Sequence, residues 1–368
     1  MNVSALGDGQ GNPVDWWFVY KLPQGIGPGK QSTGDEFLYC DSGWNSELHL
    51  SKNRLNDKKN AVTETLRQLF SGDAHTGYVL WNDEIPPTRS NPKPANNHAK
   101  GHSKGVLAFN KKTNSGFYLL HSTPRFPAVG EIELPADERD YGQTFLCVTL
   151  NYATIVQIAE IARLHHEPQV YASKNLPSDA GSPLVKLAQH DHRPSGSKHP
   201  LFIDFKFRSK DRNEFRLFAK NKKWSEPGNG QGSGKDFWNH LVGPALHDNI
   251  DVETWRRGEV FENIDPGTNN VTMDVLGVNL ASIGYHGYQW PFTKDHAKWG
   301  STEHRPAGLF LHHPGFIVIA DINRDETQAK RGGGGLAFQH DGIWRALKSV
   351  EKVETTVKKT AHRSAKAA

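Results

Sequence analysis

The chain has 368 residues, 36% hydrophobic and 10% aromatic, enough to bury a large core and to build two domains or two fused half-domains. The net charge is only +4, and two cysteines, Cys40 and Cys147, with no Cys-x-x-Cys argue against a disulfide scaffold and a thiolate zinc site, while one bond between the two stays open. No apolar run reaches membrane-helix length, and the start, MNVSALGDGQGN, lacks the basic and apolar regions of a leader, so no membrane partner is expected.

The elements follow in chain order. Val14–Leu22 is a dense aromatic run with strand character, closed by Pro23, and Phe37–Cys40 is a second short strand. Val62, Leu66 and Leu69 fall at helical spacing and predict a helix over Val62–Phe70. Tyr78–Trp81 is a strand that ends at the paired prolines Pro86 and Pro87. After a loop rich in Asn, Pro, Lys and His come Gly105–Phe109 and Gly116–Leu120, a hairpin across Lys111–Ser115. Pro124–Tyr141 reads as loop and Thr144–Leu150 as an apolar strand. Thr154–His166 is an amphipathic helix that Asn151 can cap. Pro168–Pro200 is a polar connection and the boundary candidate between halves. Leu201–Arg208 and Phe215–Lys220 pair across Ser209–Asn213, and Lys206, Arg208, Arg216 and Lys220 can line a groove for phosphates. Phe237–Leu246 is a short helix and Val275–Ile283 a strand. Gly308–Leu311 and Phe316–Ile322 form another hairpin, and the tail from Glu351 is basic and read as frayed.

Two His-x-Lys triplets stand out, His102-Ser103-Lys104 and His296-Ala297-Lys298, about half the chain apart. On an extended segment, alternation puts imidazole and ammonium on one face. The ammonium can hold a phosphate oxygen while the ring attacks phosphorus or passes a proton, so two copies supply nucleophile and acid. Each triplet precedes two apolar runs with a glycine at the start of the second, Gly116 or Gly315, which suggests duplication. The 19 histidines would make the protein strongly cationic near pH 5, which suits acid activity on a polyanion.

Several ordered segments carry a resemblance: Pro13–Pro23 (PVDWWFVYKLP), Tyr78–Pro86, Gly101–Phe109 (GHSKGVLAF), Leu119–Pro127, Phe145–Leu150, Asp236–Trp255, Asp295–Gly300 (DHAKWG) and Asp321–Gly334. Together they resemble the deoxyribonuclease II family of acid endonucleases, a divergent branch of the phospholipase D superfamily, over nearly the whole chain. The resemblance implies a mixed α+β, phospholipase D-like fold of two similar halves, each with a mixed sheet and flanking helices. The halves would be residues 1–170 and 195–350, with 351–368 a basic tail. It implies hydrolysis of double-stranded DNA at acidic pH, without metal or cofactor, to 3′-phosphate and 5′-hydroxyl ends. His102, Lys104, His296 and Lys298 match the family's two motifs, with His102 as nucleophile and His296 as acid. The superfamily's acidic residue five places after the lysine falls at Phe109 in the first half and at Glu303 in the second. Asn323 resembles the superfamily's downstream Asn, and His121 lies in the counterpart region of the first half. Animal members carry several disulfides and a cysteine before the Pro13–Pro23 segment. This chain lacks that cysteine and the usual partner of Cys147, as a bacterial homologue would, with cytoplasmic and exported placement both open.

Around the motifs, His98, Lys100, His286, Lys294 and His304 are candidate substrate contacts that also read as solvated loop groups. His165-His166, His190/His192 and His312-His313 have no third ligand nearby and read as surface or packing residues. Gly228–Asp236 imitates a phosphate loop but lacks its first glycine and its Ser/Thr. Arg331–Gly335 is either an anion nest or a tight fold against a strand. A phospholipid or other small phosphodiester hydrolase, and a non-catalytic DNA-binding module, remain alternatives. A homodimer is an open question at this stage.

Overall fold

Short runs of aromatic and β-branched residues build two large sheets, and most of their strands are buried on both faces. The computed structural model describes residues 2–43, 46–94, 96, 99–192, 199–225, 234–257, 261, 270–303 and 315–353. His98, His304, His312, His313, the strand expected at Gly308–Leu311, most of the Gly228–Asp236 run and nearly all of the tail lie outside the described residues.

A two-residue ladder joins β1 (Ala5–Leu6) to β2 (Pro13–Val14). The first sheet contains β3 (Trp16–Lys21), β4 (Phe37–Asp41), β5 (His49–Leu50), β6 (Gly77–Trp81), β7 (Gly105–Asn110), β8 (Ser115–His121), β9 (Gln143–Leu150) and β10 (Val170–Lys174). Their spatial order is β10-β6-β7-β8-β9-β3-β4-β5, antiparallel throughout. The second sheet contains β11 (Phe202–Arg208), β12 (Glu214–Lys220), β13 (Ile250–Glu253), β14 (Thr272–Asn279), β15 (Gln289–Pro291), β16 (Trp299–Thr302), β17 (Phe316–Ala320) and β18 (Gly333–Gln339), with β19 (Glu351–Val353) on β14. Its order is β11-β12-β18-β17-β16-β13-β14-β15, and only β13 and β14 run parallel.

The two orders share a common run. β6-β7-β8-β9-β3 in the first sheet corresponds to β13-β16-β17-β18-β12 in the second, while the next strand outward comes after β3 in the chain (β4) but before β12 (β11). Each triplet runs directly into its strand, β7 after Lys104 and β16 after Lys298. The chain is thus a mixed α/β protein of two similar halves.

The helices repeat too. α1 (Ala61–Arg67), capped by Asn60, packs on the outer face of the first sheet. A π-turn, Trp238–Val242, and α4 (Gly243–Leu246) cover the outer face of the second. α2 (Tyr152–Ile161) follows β9 and α6 (Asp341–Val350) follows β18, and both face the layer between the sheets. That central layer joins Phe18, Tyr118 and Leu146 of the first sheet to Leu217, Trp299 and Leu336 of the second. Each such side chain contributes roughly 1.5–3 kcal/mol by leaving water.

Three local differences have clear causes. The helix expected to His166 is regular to Ile161, where Asn151 caps it through Thr154 N–H, and then widens into a π-turn, Ala162–His166, closed by left-handed Glu167. The polar stretch after Pro168 contains β10 and α3 (Pro183–Ala188), because Leu184, Val185 and Leu187 suffice to bury one short face. The glycine run Gly333–Gly335 is part of β18, so a strand against a strand replaces the nest. α5 (Glu326–Ala329) precedes it. Cys40 and Cys147 are both free, one facing the central layer and the other the outer layer of the same sheet.

Candidate active site

The first triplet enters β7 beside the end of β6. Trp81 Nε1 donates to Ser103 Oγ at 2.9 Å, and Ser103 Oγ lies 3.2 Å from His166 Nδ1 on the π-turn. Those contacts hold Ser103 to one side, so the flanking His102 and Lys104 turn to the other. Asp83, two residues past β6, accepts from Lys104 Nζ and lies 3.6 Å from His102 Nε2 and 3.4 Å from the Arg331 guanidinium. Arg331 also donates to the carbonyls of Lys100 and Gly101, at 3.0 Å each.

The second triplet is held as firmly. Asp295 accepts from Tyr20 Oη, from Trp290 Nε1 at 2.6 Å and from Ala297 N–H at 3.0 Å, which fixes the turn into β16. The His296 ring stacks on Tyr141 and is flanked by the tilted Trp255 ring, both with centroids 3.8 Å away. Its Nδ1 lies 3.8 Å from Glu138 Oε2. Glu138 in turn binds Arg125 at 2.9 Å and Gln143 at 2.8 Å.

Each histidine is seated by the opposite half. His102 N–H donates to Gly332 O and His296 N–H to Gly142 O, both at 2.9 Å. The two glycines are register equivalents, each one residue ahead of its strand, β18 or β9. A Cβ on Gly142 would stand 2.3 Å from Asp295 Oδ1, and one on Gly332 2.5 Å from His165 O. Only glycine lets the backbones approach this closely.

One hydrogen bond and one nearby carboxylate set the tautomers. His102 Nδ1 meets the backbone carbonyl of Asp321, which can only accept, so Nδ1 carries the proton and Nε2 keeps its lone pair. The Glu138 carboxylate likewise favours a proton on His296 Nδ1 and leaves Nε2, which is buried and has no hydrogen-bond partner among the described residues. Burial first, then Lys104, lowers His102 well below the usual histidine value, with Arg331 and Lys298 adding to the effect against Asp83. Burial likewise draws His296 down to about 4, with Lys298 and Lys104 adding to it against Glu138. Burial and Lys104 draw Lys298 to about 7. Each motif therefore lies within the electrostatic reach of the other. For Asp83, burial works upward but Lys104, His102 and Arg331 outweigh it and hold the carboxylate well below its usual range. Burial pushes Asp321 up to about 7.

The other expected contacts are distributed unevenly. Asn323 is buried just past Asp321, its N–H on Gln328 Oε1 at 2.9 Å and its Oδ1 without a hydrogen-bond partner among the described residues. His121 is fully buried at the end of β8, stacked on Phe145 and edge-on to Phe126. Lys100 is half-buried beside Arg331 through its carbonyl. His286 and Lys294 are exposed, and among the described residues Lys294 meets the site through its carbonyl, which accepts from Gly142 N–H at 2.8 Å. Glu303 is exposed and accepts from Asn249 Nδ2 at 3.0 Å. Of the expected basic groove, Arg216 is tied to Asp204 and Lys220 is fully buried, its ammonium turned onto carbonyls of the segment that leads into the neighbouring strand β18.

Sequence reasoning missed Asp83, Glu138, Tyr141 and Trp255 as site residues, and Arg331 as a side chain. Asp83, Trp255 and Arg331 fall inside segments that carry the resemblance. Glu138 and Tyr141 sit in a stretch whose polar composition reads only as loop.

The deoxyribonuclease II family model matches residues 7–356. A protein of Burkholderia pseudomallei (strain K96243) is 38% identical over 351 residues, covering 94% of this chain and 92% of its own. Rat deoxyribonuclease-2-alpha is 30% identical over 359 residues, covering 95% and 93%. Caenorhabditis elegans deoxyribonuclease-2 is 29% identical over 363 residues, covering 92% and 90%. With two His-x-Lys segments seated on equivalent strands and a match of that extent, the chain belongs to the deoxyribonuclease II family.

Proposed function

We propose that the protein is an endonuclease that hydrolyses double-stranded DNA at acidic pH, through a phosphohistidine and without a metal ion. The observation that carries this reading is the reciprocal seating of His102 and His296, each with Nε2 left for chemistry and each within reach of the other motif's lysine. His102 Nε2 attacks phosphorus in line with the 5′-oxygen. The P–O5′ bond breaks as His296 Nε2 gives its proton to that oxygen, leaving a 5′-hydroxyl and a 3′-nucleotide on His102. Water then attacks phosphorus and yields a proton to His296. The P–N bond breaks, and a 3′-phosphate leaves.

Lys104 and Lys298 carry the positive charge that offsets the nonbridging oxygens, and losing one such donor costs roughly 3 kcal/mol of transition-state stabilisation. His102 suits attack because its ring stays neutral in acid. His296 suits proton donation because a carboxylate supports its cation. Its low value ties activity to acid conditions, and an incoming phosphodiester anion raises it.

The test is plasmid nicking between pH 4.5 and 8 with excess chelator, with product ends labelled. Chelator-resistant acid cleavage to 3′-phosphates, lost in His102→Ala and in His296→Ala, is expected. A requirement for added magnesium, or cleavage that survives either substitution, overturns the reading. Hydrolysis of a chromogenic phosphodiester with plasmid left intact turns it toward a small phosphodiester hydrolase.

A further inference from the structure

Lys21 and Lys220 are fully buried, and neither has a direct carboxylate partner among the described ion pairs. An ammonium in such a place is costly unless its protons are taken up. Lys21 Nζ donates to the carbonyls of Leu22 (3.0 Å), Gly34 (2.9 Å) and Arg139 (3.3 Å). Lys220 Nζ donates to those of Gln328 (3.4 Å), Ala329 (2.5 Å) and Arg331 (2.5 Å). Each is a backbone cage around one cation.

The two cages are the same device built twice. Lys21 is the last residue of β3, opposite Gln143 at the start of β9. Lys220 is the last residue of β12, opposite Gly333 at the start of β18. These positions correspond under the matching strand order. The carbonyls gripped at Arg139 and at Ala329 and Arg331 lie in the turns leading to Gly142 and Gly332. Those turns also present Tyr141 to the His296 ring and the Arg331 guanidinium to Asp83 beside His102.

We infer that Lys21 and Lys220 are paired positioning residues. Lys21 fixes the turn that seats His296, and Lys220 fixes the turn that seats His102. This rests on the roles proposed above for the two histidines. A core that needed only packing would be served by an apolar side chain of similar volume, and that replacement would remove the one donor shared by all three carbonyls of a cage, with Arg139 O keeping Gln24 N–H and Gln328 O keeping Arg331 N–H. The charged groups around Lys21 are Glu138, Asp295, Asp35 and Glu36. Those around Lys220 are Asp321, Asp236, Glu167 and Arg331. Burial draws both ammonium groups down to about 7, so both cages stay charged in acid.

The experiment uses the full chain with Lys21→Met and Lys220→Met, and with Lys21→Gln and Lys220→Gln, which keep an amide donor. Thermal melting reports the fold, a duplex oligonucleotide gives kcat and KM, and a 4-nitrophenyl phosphodiester offers a leaving group that needs no proton. For both folded Met variants, kcat on DNA is expected to fall about tenfold or more with KM within about threefold, and Gln to recover part of it. The Lys21→Met deficit should shrink in the first-turnover release of nitrophenolate, because His296 has no proton to give in that step. The Lys220→Met deficit should persist, because His102 must still attack. Histidine side-chain NMR gives a readout independent of turnover: Lys21→Met should displace the His296 ring signals, and Lys220→Met those of His102. Unchanged kcat, equal deficits on both substrates for both lysines, unmoved ring signals, or loss of fold in all four variants overturns the inference. If wild type does not cleave DNA, the functional reading fails, and the ring signals still decide whether the lysines seat the histidines.

Discussion

Replacing Glu138 by Gln tests whether a carboxylate supports the His296 cation. Glu138 Oε2 lies 3.8 Å from His296 Nδ1. At that range, and at an effective dielectric of about 20, a unit charge pair is worth about 4 kcal/mol. Glu138 shares its charge with Arg125 at 2.9 Å, so the net support is smaller, about 1–2 kcal/mol or about one pH unit. The sign follows from the environment. Burial already draws His296 down to about 4, and Glu138 is the group that opposes it. Removing the carboxylate lowers the value further, so the protonated ring is available only in stronger acid. The assay is kcat/KM on a duplex oligonucleotide across pH 3.5 to 7, with DNA ends scored in parallel. The falling limb should move about one unit toward acid, and the rate at pH 5 should drop about tenfold. Arg125 keeps Asp137 at 2.6 Å, so the fold should survive. A limb that stays in place in a folded Glu138→Gln protein refutes the reasoning.

Three further outcomes are expected. Asp83→Asn removes the buried carboxylate that Lys104 and Arg331 share and should cost about 3 kcal/mol of stability, read from urea unfolding, with loss of nicking. His121→Phe should stabilise the protein in acid. Burial draws His121 down to about 3 in the folded state, whereas the unfolded ring protonates near 6.5, so stability is lost as pH falls from about 6.5 toward 3. At pH 5 the substitution should recover about 2 kcal/mol that is absent at pH 8, measured by melting at both values. Gly142→Ala sets a methyl against Asp295 Oδ1, so activity should fall at least about tenfold while DNA binding by gel shift persists.

Much of the strand framework was legible because aromatic and β-branched runs mark it locally, as at Trp16–Lys21 and Gly105–Asn110. The Asn151 cap was legible for the same reason. β18 was not, because glycine has low intrinsic preference for strands and here serves close packing: Cβ atoms on Gly333, Gly334 and Gly335 would meet Ile322, Phe218 O and Ala320. β16 was hidden in Trp299–Thr302, whose burial comes from β13 and β17 rather than from its own apolar content. The two triplets could be read from spacing alone. Their supporting groups could not, because Glu138 serves His296 and Arg331 approaches His102 from the opposite half, and nothing local to either residue announces that partner.

The crossed glycine carbonyls have a consequence for how such a chain can change over time. Because the support for one imidazole is encoded in the other copy of the repeat, a drift in the turn before β9 is felt at His296, and a drift in the turn before β18 at His102. The two copies are therefore free to diverge in their outer layers but are bound to co-vary at these turns. A gene that inherited only one copy would lack the seat for its own reactive ring.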